Sequence, residues 1–451
     1  MGMKYLIGLD IGTSAVKGVL MTEEGTVTHS AGAPFVYTTY DDGGVEIEAD
    51  KYIESCFSAI NELAKCADGE IAGICASSAS GNLLILDKDN NPVTPIYNWQ
   101  DKRTTTEAEE ILGDIDKGEL YRKIGWGFSG KTFPLALLCY VKKHFPEKIE
   151  NCGKVCMSTE YLYYKLTGKW GISSSAGTPF FLIDQNTGKY IPELLDKIGI
   201  EEDKLPLVMK CGRVVGEVLD EASEKCGLPL GTPVVLGSFD HPSAARGAGV
   251  FNEGEMLLSC GTSWVGFFPI NDREKAASAK ILIDPFMSEK GGAWGTMVSV
   301  SSLSARIEMY IKRYIDDSEK RFDILTNLAR KSIDGANGLC IALNDEPDDE
   351  KINAFSKEDI ARAIMEGAVN LLKEKLDILR KIGISPKTAV MVGGPSKNPM
   401  YLELIEKICG IKVSVRHGVN AGAVGAAMLA GIGAGIYKDE KDANRICNER
   451  R

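Results

Sequence analysis

Histidine is almost missing from this chain, with four in 451 residues. Its twelve cysteines stand singly, with no Cys-x-x-Cys pair among them. Both shortages argue against a zinc site, and the scattered thiols fit a reducing compartment better than a disulfide scaffold. Basic charge is in deficit: 52 Lys and Arg against 63 Asp and Glu leave a net charge of −11. That balance argues against a nucleic-acid groove or an anionic membrane surface as the main partner, while leaving room for a local basic pocket. No apolar run is continuous enough to suggest a membrane span. The nearest, residues 419–436, is interrupted by glycines at 422, 425, 431, 433 and 435 and reads as a close-packed buried helix followed by a loop. Met1-Gly2-Met3-Lys4 leads straight into a strand, so no secretory leader is expected and the predicted setting is cytoplasmic. Low-complexity tracts are absent as well.

What is present is an ordinary globular composition, 44% hydrophobic and 25% charged, long enough for two sizeable cores. One short phrase occurs in each half. Residues 5–20 form an apolar strand, the turn Gly12-Thr13-Ser14 and a second strand-like run; residues 256–268 repeat this around Gly261-Thr262-Ser263. A glycine in such a turn lets backbone N–H groups approach an anion, and the hydroxyls add donors. Two similar lobes gripping one phosphate-bearing ligand are therefore expected.

Between the two phrases, Asp50 is expected to cap a helix with the apolar stripe Ile53, Cys56, Phe57, Ile60 and Leu63. Strands are predicted at 71–76, 83–86 and 234–237, and helices at 135–145 and 158–167, the latter stopped by Gly168. The second half should carry helices near 300–315, 321–332 and 357–381. A strand at 389–392 should follow, then a helix with the stripe Tyr401, Leu404, Ile405 and Ile408. The boundary is placed in the Gly-bearing stretch 246–254, giving domains 1–246 and 247–451. Residues 125–132, Gly-Trp-Gly-Phe-Ser-Gly-Lys-Thr, fit a P-loop pattern, but polar, helix-like residues precede them in place of the required buried strand. They read as an ordinary Gly-rich loop.

Two carboxylates stand at strand ends. Asp10 directly precedes the first turn, where it either caps the turn or holds Mg²⁺ through water beside ATP phosphates. Lys17, on the returning strand, either adds charge there or is simply exposed. Asp240 follows an apolar strand and precedes a helix, so an N-cap role competes with that of a base. Taken as a pair the two suit phosphoryl transfer, one positioning metal and the other accepting a hydroxyl proton.

Over nearly its whole length the chain resembles the FGGY carbohydrate kinases, of the hexokinase–actin–sugar kinase superfamily. The resemblance rests on Gly8-Leu-Asp10-Ile-Gly-Thr13-Ser and Cys260-Gly-Thr262-Ser as phosphate motifs, with Gly237-Ser-Phe-Asp240-His-Pro-Ser-Ala-Ala as the base segment. Val392-Gly393-Gly394-Pro-Ser-Lys-Asn398-Pro is similar to the adenosine motif, and residues 158–168 and 175–178 resemble further family segments. It implies an α/β fold of two ribonuclease-H-like, actin/hexokinase-type lobes with a cleft between them. It also implies ATP and Mg²⁺ as cofactors, Asp240 as catalytic base, Asp10 at the metal, and a homodimer. ATP phosphates would lie on Gly12, Thr13, Ser14, Lys17, Gly261 and Thr262, and the nucleoside beside Gly393, Gly394 and Asn398.

The substrate segment is less regular. Asn98-Trp99-Gln-Asp101-Lys-Arg103 resembles the family's sugar contact segment, with Trp99 offering a flat face and Asp101 and Arg103 polar grips. Ala79-Ser80-Gly81-Asn82 stands where xylulose and gluconate kinases carry Gln-Met-His-Gly and glycerol kinases an Arg-Glu pair. An acidic residue frequent in xylulose kinases is replaced by Ser175. These departures argue against a glycerol kinase and suggest a less charged pocket, suited to a neutral sugar, ketose or polyol held by Trp99, Asp101, Ser80 and Asn82. Two other readings use the same twin turns: an actin- or chaperone-like ATPase, and a sugar sensor that has lost catalysis.

Overall fold

The computed structural model describes residues 2–415 and 420–449. Two compact units emerge. The first takes the described residues of 1–249, 280–295 and 420–451, and the second those of 250–279 and 296–419.

The first unit is built on a six-stranded sheet in the order Val214–Glu217, Pro233–Phe239, Glu70–Ser78, Lys4–Ile11, Ala15–Thr22, Val27–Pro34. The three N-terminal strands form an antiparallel meander, and Glu70–Ser78 and Pro233–Phe239 add in parallel. Every residue of Glu70–Ser78 but the first is buried, as expected of a strand covered on both faces. Helix Ala49–Lys65 supplies one cover, its stripe of Ile53, Cys56, Phe57, Ile60 and Leu63 packed into the core. It starts one residue before the expected cap: Glu48 is the N-cap, and Asp50 lies in the first turn, where its charge suits the helix dipole.

The opposite cover is helix Ala421–Gly433, in which nine of thirteen residues are glycine or alanine. Where those small residues face the sheet and helix Asp240–Ala248, the backbones come into contact. A methyl on Gly8 would collide with the Ala423 carbonyl, and one on Gly247 with the Ala421 carbonyl. The expectation of a buried helix here holds for its described residues, and Val419 lies outside them. The compact units cut the chain differently from the expected domains 1–246 and 247–451. Helix Asp240–Ala248 runs past residue 246 to a left-handed Gly249, and the helix at 421–433 returns to the first unit because only small residues allow that contact. Residues 280–295 belong there too: Ile283 N–H donates to the Gly125 carbonyl at 2.7 Å, and Glu289 N–H to the Cys211 carbonyl at 2.9 Å.

In the second unit the strand order is Trp294–Val300 (from Thr296 onward), Trp264–Ile270, Glu255–Cys260, Thr388–Gly393, Lys412–Val415. Its central pair is again an antiparallel hairpin joined in parallel by a later strand. Helices Leu303–Tyr314, Arg321–Ala329, Lys357–Lys381 and Pro399–Cys409 occupy the expected segments. No described helix is long and apolar enough to cross a membrane.

Candidate active site

Asp10 sits near the end of its strand, opposite Lys17 on the antiparallel neighbour and Ser77 on the parallel one. Gly12 N–H closes the following turn on the Ala15 carbonyl at 3.0 Å. Asp240 begins its helix directly after Pro233–Phe239, whose last residue is level with Ser78. The two carboxylates thus flank the carboxyl end of strand Glu70–Ser78, where open α/β sheets bind ligands. Helix Ala421–Gly433 ties them together. A Cβ on Gly422 would come within 2.5–3.0 Å of the Asp10 carboxylate, and the Gly422 carbonyl accepts from Ser243 Oγ, three residues past Asp240, at 2.9 Å. Burial, and secondly the charge of Asp240, push Asp10 up to about 7, against the opposing pull of Lys17. Asp240 Oδ1 accepts the His241 N–H at 2.7 Å.

The sugar-segment residues divide by what their polar atoms already hold. Trp99 Nε1 donates to Thr13 Oγ1 at 3.1 Å, so the flat indole is fastened to the turn that follows Asp10. Ser80, left-handed at φ 45°, is buried with its hydroxyl 2.8 Å from Ser78 Oγ, and Gly81 is left-handed at φ 77°. A Cβ on Gly81 would press on the Phe133 ring at 2.7 Å. Asn82 is spanned by one residue: its Oδ1 accepts the Ser158 N–H at 2.7 Å and its Nδ2 donates to Ser158 Oγ at 2.9 Å. Asp101 is wholly buried and accepts from Val45 N–H and from the Arg103 guanidinium, whose Nη1 reaches Glu46 at 2.7 Å. Asp101 and Arg103 therefore brace the segment through each other.

Sequence reasoning missed an aromatic wall. Trp99 stacks on Phe133 at 6.4 Å, Phe133 lies 4.9 Å from Trp126, and Trp126 lies 6.2 Å from Phe239, the residue before Asp240. Trp126 belongs to the Gly-rich segment 125–132, where helix Lys117–Ile124 and not a strand precedes Gly125, in agreement with rejecting a P-loop. Asp284 was missed as well. It is fully buried against Ser175, and burial pushes it up to about 7, with Asp240 adding repulsion and Ser175 and Arg246 opposing. A carboxyl whose folded pKa is raised stabilises the fold fully below its ordinary value near 4, and that contribution is lost as pH rises through about 7. Asp284→Asn should therefore gain in melting temperature relative to the wild type between pH 5 and pH 8, read by parallel thermal melts. A difference independent of pH would contradict the raised pKa.

In the second unit, Gly261 and Thr262 are exposed at the hairpin turn, and their carbonyls accept from Ser304 Oγ at 2.6 Å and Ser304 N–H at 3.1 Å. Gly393 is level with Cys260 in the parallel pair, and its φ of 97° together with a would-be Cβ collision on the Cys260 carbonyl requires glycine. A Cβ on Gly394 would meet nothing within 4 Å, so the space beside it is open. Asn398 caps helix Pro399–Cys409 through Met400 N–H at 3.1 Å and donates to Thr326 Oγ1 at 2.7 Å.

Among the described residues no group of three or more His, Cys, Asp or Glu is placed to hold a metal ion. A lone carboxylate such as Asp10, beside a Gly-Thr-Ser turn, fits Mg²⁺, which keeps its waters and leans on substrate phosphates. The model of the N-terminal domain of the FGGY family of carbohydrate kinases matches residues 5–247, and that of its C-terminal domain residues 335–434. A xylulose kinase of Bacillus subtilis is 28% identical, covering 99% of this chain and 92% of that protein. An autoinducer-2 kinase of Photorhabdus laumondii is 23% identical over 96% of this chain and 87% of its own length. The crystal structure of a xylulose kinase from Rhodospirillum rubrum superposes with a TM-score of 0.88 at 22% identity, covering 98% of this chain and 92% of that one.

Proposed function

Because the chain belongs to the FGGY family of carbohydrate kinases, we propose a division of labour within the ATP-dependent sugar phosphorylation that this membership entails. Asp240 accepts the proton of a terminal sugar hydroxyl as that oxygen bonds to the γ-phosphorus and the bond to the departing ADP oxygen breaks. Asp10 would hold Mg²⁺ through water, and the ion when bound would neutralise charge on the transferring group. The hydroxyls and N–H groups of Thr13 and Ser14, with Lys17 close by, take phosphate oxygens on the first unit, and Gly12 shapes the turn through its bond to the Ala15 carbonyl. Thr262 does so on the second, where Gly261 shapes the turn through the Ser263 carbonyl, and Gly393 and Gly394 leave room for the nucleoside. Asn398 serves by capping the helix that follows.

The sugar lies on the first unit against Trp99, whose face carries a carbon chain while its N–H orients the Thr13 hydroxyl. Ser80 adds a polar contact. Asn82, Asp101 and Arg103 hold their segments in place, their polar atoms being engaged within the chain. With few free charges and an aromatic wall, the site suits a small neutral open-chain sugar, ketose or polyol. The observation that carries the reading is the pair of strand-end carboxylates, Asp10 packed against Gly422 and Asp240 on the helix whose Ser243 donates to the Gly422 carbonyl. The kinase family match lends no support to a protein-gripping ATPase or a silent sensor. A coupled ADP-release screen over pentuloses, hexuloses, polyols and aldonic acids tests the assignment. A neutral open-chain substrate is expected to stimulate ADP release most, and an aldonic acid as the preferred substrate would refute the neutral pocket. The cytoplasmic setting and the homodimer remain part of the proposal, the latter tested by sedimentation.

A further inference from the structure

Asp284 ends the short strand Leu282–Asp284, and both its oxygens lie within hydrogen-bond distance of Ser175 Oγ, at 3.0 and 2.9 Å. Ser175 is equally buried, and its Oγ accepts the Phe239 backbone N–H at 3.2 Å. Phe239 is the N-cap of the helix that Asp240 begins. An amide N–H can only donate, so the single Ser175 proton is directed to Asp284, and the three groups form a chain of fixed polarity. Near the other end of that helix, Arg246 donates to the carbonyl of Phe286, two residues beyond Asp284. One short segment therefore grips the helix at both ends. An apolar side chain would fill the space of Asp284 at lower desolvation cost; what the carboxyl adds is a directed acceptor.

We propose that Asp284, acting through Ser175, is a positioning residue that fixes the strand-to-helix junction at Phe239 and thereby the aim of the Asp240 carboxylate. This rests on Asp240 being the base. The chain of hydrogen bonds ends on a backbone atom, so Asp284 serves alignment, and phosphoryl transfer is governed by alignment. A displacement of the base by about 1 Å costs on the order of 100-fold.

The test measures kcat and sugar KM for Ser175→Ala, Asp284→Ala, the double variant and Asp284→Asn, using the best substrate of the screen. Ser175→Ala and Asp284→Ala should each lower kcat roughly 30- to 100-fold with KM within about threefold, the scale of a misaimed base. The double variant should lose no more than either single one, because both cut the same chain. Asp284→Asn keeps an acceptor for Ser175 and should stay within about fivefold of wild type. Ser175→Ala, a minimal change, carries the test even where Asp284→Ala does not fold. A Ser175→Ala kcat near that of the wild type, or a loss confined to KM, overturns the proposal. Asp240→Asn in the same assay separates the premise: turnover retained there removes the base itself, whereas turnover lost there but intact in Ser175→Ala removes only the positioning role.

Discussion

Asp240→Asn should phosphorylate sugar about 10²–10⁴ times more slowly than the wild type while binding ATP with unchanged affinity. The substitution conserves shape. An asparagine carbonyl can still accept the His241 N–H that Asp240 Oδ1 takes at 2.7 Å, so the helix start is kept and only proton acceptance is lost. The side chain also lies off the turns assigned to ATP, which separates catalysis from nucleotide affinity. Single-turnover phosphosugar formation reads the first quantity and calorimetric titration of ATP the second. Turnover within a few-fold of wild type would show that Asp240 is only the first residue of its helix, whose N-cap the structure gives to Phe239. A parallel loss of ATP affinity would show that the variant disturbs the fold. Neither result is expected, because a charge-removing change at a partly exposed strand end leaves the surrounding contacts in place.

The twin hairpins were legible because their signal is local: apolar alternation interrupted by Gly-Thr-Ser has few other ways to fold. The placement of Asp10 and Asp240 at strand ends was legible because an apolar run that gives way to a carboxylate marks where a strand leaves the core. Partners distant in sequence were not. Asn82 meets Ser158, Asp101 meets Val45, and Asn398 meets Thr326; nothing in a polar residue's immediate neighbours says whether its hydrogen bonds end within the chain or on a ligand. The compact units were less legible for a related reason. Residues 280–295 follow the second hairpin yet pack with the first unit, and the helix at 421–433 carries no side-chain pattern that would reveal its neighbour. Asp284 went unnoticed because its relation to Asp240 exists only once that return is made.

The largest loss of stability is expected at Arg246, a fully buried guanidinium on helix Asp240–Ala248. Its Nε donates to Glu440 at 2.7 Å and its Nη1 to Ser238 Oγ at 3.2 Å. Nη2 donates to the Phe286 carbonyl, and the group lies 4.3 Å over the Phe286 ring. Arg246→Ala leaves Glu440, itself only 11% exposed, without its guanidinium, and removes a donor from Ser238 and from Phe286. Removing one partner of a buried pair costs about 3–5 kcal/mol, to be read as a fall in the denaturant midpoint of the first unfolding transition. Burial also screens the pair from salt, so the loss should change little between low and high ionic strength. The double variant Arg246→Met/Glu440→Leu should recover most of the stability, because desolvating two matched charges offsets most of what their attraction returns. Should the double variant be as unstable as Arg246→Ala, the stabilising element would be the guanidinium's grip on Ser238 and Phe286, and the ion pair with Glu440 would be incidental.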